Sequence, residues 1–167
     1  MQDGLLILAS AWFIAGQGVA AASDAVWMRI PNALTLYLLA GAALCAVQAG
    51  PVWLDLAARM AVGLSVLAGG FVLFAKGWMG GGDVKLLAVT ALWLGPAATP
   101  GLLILTALGG GILTLALIAA RALGAGHLAG HRIAALREPM DRVPYGIAIA
   151  AAAIATVILR PDALLIG

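Results

Sequence analysis

With 64% of its 167 residues hydrophobic, 10% charged and a mean hydropathy of +1.11, this chain does not have the composition of a water-soluble domain and is expected in a lipid bilayer. A formal net charge of +2, carried by basic residues scattered through short loops, excludes a nucleic-acid-binding patch. The single cysteine, Cys45, excludes a disulfide framework and a CxxC zinc pair.

Apolar runs cover about 4–22, 33–50, 56–75, 84–99, 101–120 and 143–159. They predict an all-α integral membrane protein, a bundle of about six transmembrane helices forming a single domain over residues 1–167. A hydrocarbon core about 30 Å thick needs about 20 apolar residues, and lipid leaves helix as the one state that satisfies each backbone group. The first run opens Met1-Gln2-Asp3-Gly4 without a basic residue, so it reads as a retained span rather than a signal peptide. The fourth is short and ends at Gly95, Pro96 and Pro100, which sets the start of that helix, and Asp83 with it, below the membrane surface.

Basic residues fix the expected orientation. Arg29, Lys76, Lys85, Arg121, Arg132, Arg137 and Arg142 fall in alternate loops, leaving Arg59 and Arg160 near the other face. Both termini are therefore expected outside the cytoplasm, in a multi-pass inner-membrane arrangement. Trp27, Trp53, Trp78 and Trp93 fall near predicted span ends as interfacial residues, with Trp12 deeper. Small residues inside spans, such as Ala107 and Gly111, suit close helix packing.

Two turns on the cytoplasmic side concentrate the chemistry. The first reads Asp24-Ala-Val-Trp-Met-Arg29-Ile30-Pro31-Asn32. Pro31 suits the opening of the second span, where Asn32 can bond exposed amides. Alone, this turn is equally a topology marker. The second reads Lys76-Gly77-Trp78-Met79-Gly80-Gly81-Gly82-Asp83-Val84-Lys85. Its glycines permit close backbone approach, and the Lys and Ser/Thr that a phosphate-binding loop requires are missing. Asp83 at a helix start also suits a cap, stabilised by the helix dipole and by Lys85.

Taken in order, Asp24 with Ile30-Pro31-Asn32, then Gly80-x-Gly82-Asp83-x-Lys85, resemble the paired signatures of the type IV prepilin peptidases. Pro144-Tyr145-Gly146, opening the last span, resembles a third element of that family. The resemblance spans essentially the whole chain and implies a membrane aspartyl endopeptidase without cofactor or metal. Asp24 and Asp83 would then be its catalytic pair at the cytosolic face, cutting the leader from a prepilin whose apolar helix lies in the bilayer. The long forms carry a cysteine-rich insert that accompanies N-methyltransferase activity; its absence implies peptidase activity alone, and the compact form resembles most the enzymes of tight-adherence (Flp-type) pilus systems, although the archaeal preflagellin peptidases are also short. Presenilin-type proteases carry a Tyr-Asp pair at their first aspartate, whereas Ser23 precedes Asp24 here. Two carboxyls suffice for hydrolysis when one is ionised as base and the other protonated as acid. Lys85 and the helix N-terminus favour the base role for Asp83 and the acid role for Asp24.

His127 and His131 would share a helical face, but their glycine-containing loop supplies no carboxylate or thiol nearby, so they read as solvated histidines and not as metal ligands. Glu138 and Asp141 in the same loop are candidates for contact with a basic leader. The alternative from another class is a non-enzymatic membrane assembly or transporter subunit whose acidic residues only set topology.

Overall fold

The computed structural model describes residues 2–49, 53–123 and 143–164. These form five helices, α1 (Gln2–Trp27), α2 (Asn32–Ala49), α3 (Trp53–Ala75), α4 (Gly81–Ala122) and α5 (Tyr145–Leu159), followed by a short 3-10 turn, Pro161–Leu164. Strands are absent among the described residues. The protein is an all-α membrane protein. The stretches Gly4–Trp27, Trp53–Ala75 and Gly81–Ala120 are long and apolar enough to cross a bilayer, and α2 and α5 are shorter apolar helices.

The fourth and fifth apolar runs follow each other without a loop as the two limbs of α4, divided at Gly95, so five helical elements stand where six were expected. Straight, its 42 residues would extend about 60 Å, twice the thickness of a hydrocarbon core. Instead the chain doubles back. Continuous helix would separate Ala91 from Thr99 by about 12 Å, yet Thr99 Oγ1 lies 3.4 Å from the Ala91 carbonyl oxygen. Gly95 makes the reversal with φ 73° and ψ 179°, a backbone state open to glycine and costly for any residue with a Cβ. Pro96 then starts the returning limb, where its missing amide donor costs nothing.

A reversal between packed helices leaves carbonyls without helical donors, and buried ones must be satisfied by other partners. Arg59, buried on α3, does much of this. Its guanidinium donates to the carbonyls of Trp93 and, at 3.1 Å, Ala163, while its Nε pairs with Asp55 at 2.8 Å. Arg160 reaches the Ala97 carbonyl at 3.1 Å, and the Thr99 hydroxyl donates to Gly95 O at 2.7 Å. The sequence expectation put Arg59 near the face opposite most of the other basic residues; at the Gly95 end of the bundle the structure buries it at 6% exposure, with its donors turned to carbonyls there.

Trp93 is also corrected. It is not an interfacial tryptophan: it is 3% exposed, packs against Phe13 with centroids 5.3 Å apart, and donates from Nε1 to the Leu38 carbonyl at 2.8 Å. Trp27, Trp53 and Trp78 remain exposed. Trp12 stacks on Tyr37 with centroids 4.4 Å apart and donates to its carbonyl, joining α1 to α2.

Candidate active site

Three short segments meet at the end of the bundle opposite the Gly95 reversal. The first is the turn between α1 and α2. Asp24 stands one turn before the end of α1, 5% exposed. The helix closes with Met28 at φ 51°, and the Ser23 hydroxyl donates to the Arg29 carbonyl at 2.6 Å, folding the turn back on the helix. This turn directs Ile30 inward, where it is buried. Pro31 then precedes α2, and Asn32 is its first residue.

The second segment joins α3 to α4. Gly77, at φ 73°, ends α3 in a Schellman motif: its amide donates to Phe74 O at 2.9 Å, and the Trp78 amide to Leu73 O at 2.9 Å. Lys76 lies over the Trp78 ring, 4.8 Å from the centroid. Helix α4 begins at Gly81, and Asp83, in its first turn, turns back to accept from the Gly80 amide. That is one half of a capping box. The cap expected of Asp83 is therefore present, together with a second environment that a simple cap would not have.

The third segment opens α5. The Gly146 amide, in its first turn, donates to Asp24 Oδ2 at 2.7 Å and also faces the Asp83 carboxyl. The two carboxyls thus converge on one helix N-terminus, whose exposed amides favour negative charge, and lie within electrostatic reach of each other.

Steric requirements explain the glycines. A Cβ built on Gly146 would stand 2.8 Å from Asp24 Oδ2 and 2.9 Å from Ile30 Cδ1; one on Gly82 would stand 3.1 Å from Ile30 Cβ; one on Gly80, 2.8 Å from Asp83 Oδ2. Ile30 is the wedge that locks the three segments together, and Gly82 and Gly146 make room for it. Tyr145 packs its ring against the backbone at Gly110, tying α5 to the returning limb of α4, while Pro144 precedes the helix in a buried position. Ile30 belongs to the first motif, Ile30-Pro31-Asn32, and its part in joining the segments shows only in the structure.

Lys85 departs from expectation. It was set beside Asp83, but its amine donates to Asn32 Oδ1 at 3.0 Å, linking the start of α4 to the start of α2. Asn32 likewise accepts from Lys85 instead of bonding free helix amides. Asp55 pairs with Arg59, and among the described residues no ion pair joins Lys85 to Asp83. The argument for Asp83 as the base loses its lysine. His127, His131, Glu138 and Asp141 lie outside the described residues.

A sequence model of the type IV leader peptidase family matches residues 7–115, more than half of the chain, and both aspartates fall within the match. Comparison with curated proteins and with solved structures gives no match.

Proposed function

Because this chain belongs to the type IV leader peptidase family, we propose that it is a membrane aspartyl endopeptidase that removes the cytoplasmic leader of a prepilin, with Asp24 and Asp83 as its catalytic pair. The observation that carries this reading is the convergence of the two carboxyls on the Gly146 amide. They come from residues far apart in sequence, and three sets of glycine contacts are arranged to let them meet.

The chemistry is complete with two carboxyls. An ionised carboxylate takes a proton from water, whose oxygen forms a bond to the scissile carbonyl carbon, while the protonated partner gives its proton to the carbonyl oxygen. Collapse of the tetrahedral intermediate breaks the C–N bond: a hydroxyl proton returns to the carboxylate that served as acid, and the leaving nitrogen is protonated from the carboxyl that received the water's proton. Nearby carboxyls favour a singly protonated pair, because like charge opposes the second ionisation.

The distribution of basic loop residues supports a cytoplasmic position for the pair, where an uncleaved leader remains, with both termini outside. Co-expression with a candidate prepilin tests the activity: leader removal gives a faster-migrating product, and an unprocessed prepilin at ample enzyme level contradicts the reading. For orientation, a cysteine replacing exposed Trp78 in a Cys45→Ala background should be labelled from the cytoplasm and one replacing exposed Trp53 from outside. The reverse pattern overturns the topology.

A further inference from the structure

Gln17 is a fully buried amide in the middle of α1, and its presence there requires an account. Its Nε2 donates to the Thr90 hydroxyl at 2.8 Å, joining α1 to the first limb of α4. Its Oε1 has no hydrogen-bonding partner among the described residues. An apolar residue of similar size would avoid that unsatisfied oxygen.

Position accounts for the amide. Gln17 precedes Asp24 by seven residues, and Thr90 follows Asp83 by seven. Asp24 lies near the end of α1 and Asp83 near the start of α4, so both steps lead into the bundle. Seven residues are almost two full turns, which keep a side chain on the same helix face about 10 Å along the axis. The face continues one turn deeper, where Phe13 meets Trp93. Between the rungs, Ala20 and Leu86 are fully buried. Helix α1 packs mainly on α5 and α2, and α4 mainly on α3 and α5, so long side chains bridge α1 and α4 as a ladder whose rungs are Asp24 with Asp83, Gln17 with Thr90, and Phe13 with Trp93. Of these, the amide–hydroxyl rung has directional geometry, and it is the one next below the carboxyls.

We propose that Gln17 and Thr90 are positioning residues, a hydrogen-bonded clamp two turns below Asp24 and Asp83 that holds α1 and α4 at the separation the carboxyl pair requires. The proposal rests on the reading of those aspartates as the catalytic pair. Apolar packing resists sliding and rotation of helices weakly in lipid, whereas an interhelical hydrogen bond fixes both. A misplacement of about 1 Å between catalytic groups costs about a hundredfold in rate, so a clamp of modest strength has a large effect on turnover.

Thr90→Val removes the hydroxyl at nearly constant shape and Thr90→Ser retains it, so the pair separates hydrogen bonding from packing. The first measurement is geometric. In a Cys45→Ala background carrying Asp24→Cys and Asp83→Cys, a short thiol cross-linker should join the two sites, with the linked peptides quantified by mass spectrometry. Thr90→Val and Gln17→Leu should each lower the yield several-fold, and Thr90→Ser should keep it. The second is kinetic: in the enzyme with both aspartates, Thr90→Val should lower kcat about tenfold with little change in KM, and Thr90→Ser should restore it. Unchanged cross-linking in Thr90→Val, equal losses in Thr90→Val and Thr90→Ser, or a wild-type kcat in Thr90→Val each overturns the clamp. Failure of the peptidase reading looks different: the wild-type chain then cleaves no prepilin, while the cross-linking still depends on Thr90.

Discussion

Gly146→Ala is the substitution whose consequence the structure specifies most fully. The added methyl would stand 2.8 Å from Asp24 Oδ2, 2.9 Å from Asp24 Cβ and 2.9 Å from Ile30 Cδ1, closer than carbon tolerates on every side. None of these neighbours swings away easily, because Asp24 and Ile30 are both buried. The start of α5 must therefore retreat, and the 2.7 Å bond from the Gly146 amide to Asp24 is lost or stretched. A hydrogen bond to a charged group contributes about 1.5–3 kcal/mol, which at about 1.36 kcal/mol per decade lowers the cleavage rate about 10- to 150-fold. The assay is cleavage of a prepilin by purified variants in detergent, beside Gly109→Ala as control. A Cβ at Gly109 meets Ala148 Cβ at 3.8 Å, an ordinary contact between α4 and α5, so this control should cleave within about twofold of wild type. Unfolding followed by tryptophan fluorescence checks that Gly146→Ala still folds. If folded Gly146→Ala cleaves as fast as the control, the amide at the start of α5 does not serve the carboxyl pair.

Cleavage should show a bell-shaped pH dependence: acid protonates the base, alkali ionises the acid, and the two limbs belong to the pair rather than to either residue. Because the carboxyls supply both functions, chelators should leave the rate unchanged; loss on chelation and recovery with zinc would redirect attention to His127 and His131. Gly95→Ala should lower the thermal midpoint of the detergent-solubilised protein, since a Cβ at φ 73° costs about 1–2 kcal/mol and would also stand 3.3 Å from Arg59 Cζ. Gly69→Ala, whose Cβ meets nothing within 4 Å, should leave the midpoint near wild type, and equal shifts in the two would contradict the account of the reversal.

Much of the fold was legible because lipid imposes it. Long apolar runs had to be helices, and the break at Gly95-Pro96 was visible as residues that helix cannot use. Less legible was that a single residue suffices to reverse the chain, which leaves the two expected helices as adjoining limbs of α4 and lets Arg59 donate to the Trp93 carbonyl beside the break. An arginine near a span end looks like a topology marker, because hydropathy carries no record of missing amide donors. Trp93 was misplaced for a related reason: proximity to a span end says nothing about whether a neighbouring helix, here α2 through Leu38, covers it.

At the candidate site, resemblance of two motifs to a family singled out the aspartates, and the structure brings their carboxyls together. Gly82 and Gly146 leave room for Ile30, a relation between three segments that no single turn reveals. Lys85 was paired by nearness in sequence with Asp83, whereas in space the nearer partner is Asn32, from the other turn. Gln17 and Thr90 gave no signal, since a lone amide and a lone hydroxyl in separate apolar runs show their relation only once the helices are side by side.

The most direct test of the central claim is prepilin cleavage by Asp24→Asn and Asp83→Asn, each purified at the wild-type level and followed by mass spectrometry of the product's new N-terminus. Asparagine keeps the shape of aspartate but can neither take the water's proton nor return it. The account predicts that the wild-type chain releases the leader and that each single variant releases none. Wild-type cleavage by either variant would contradict it.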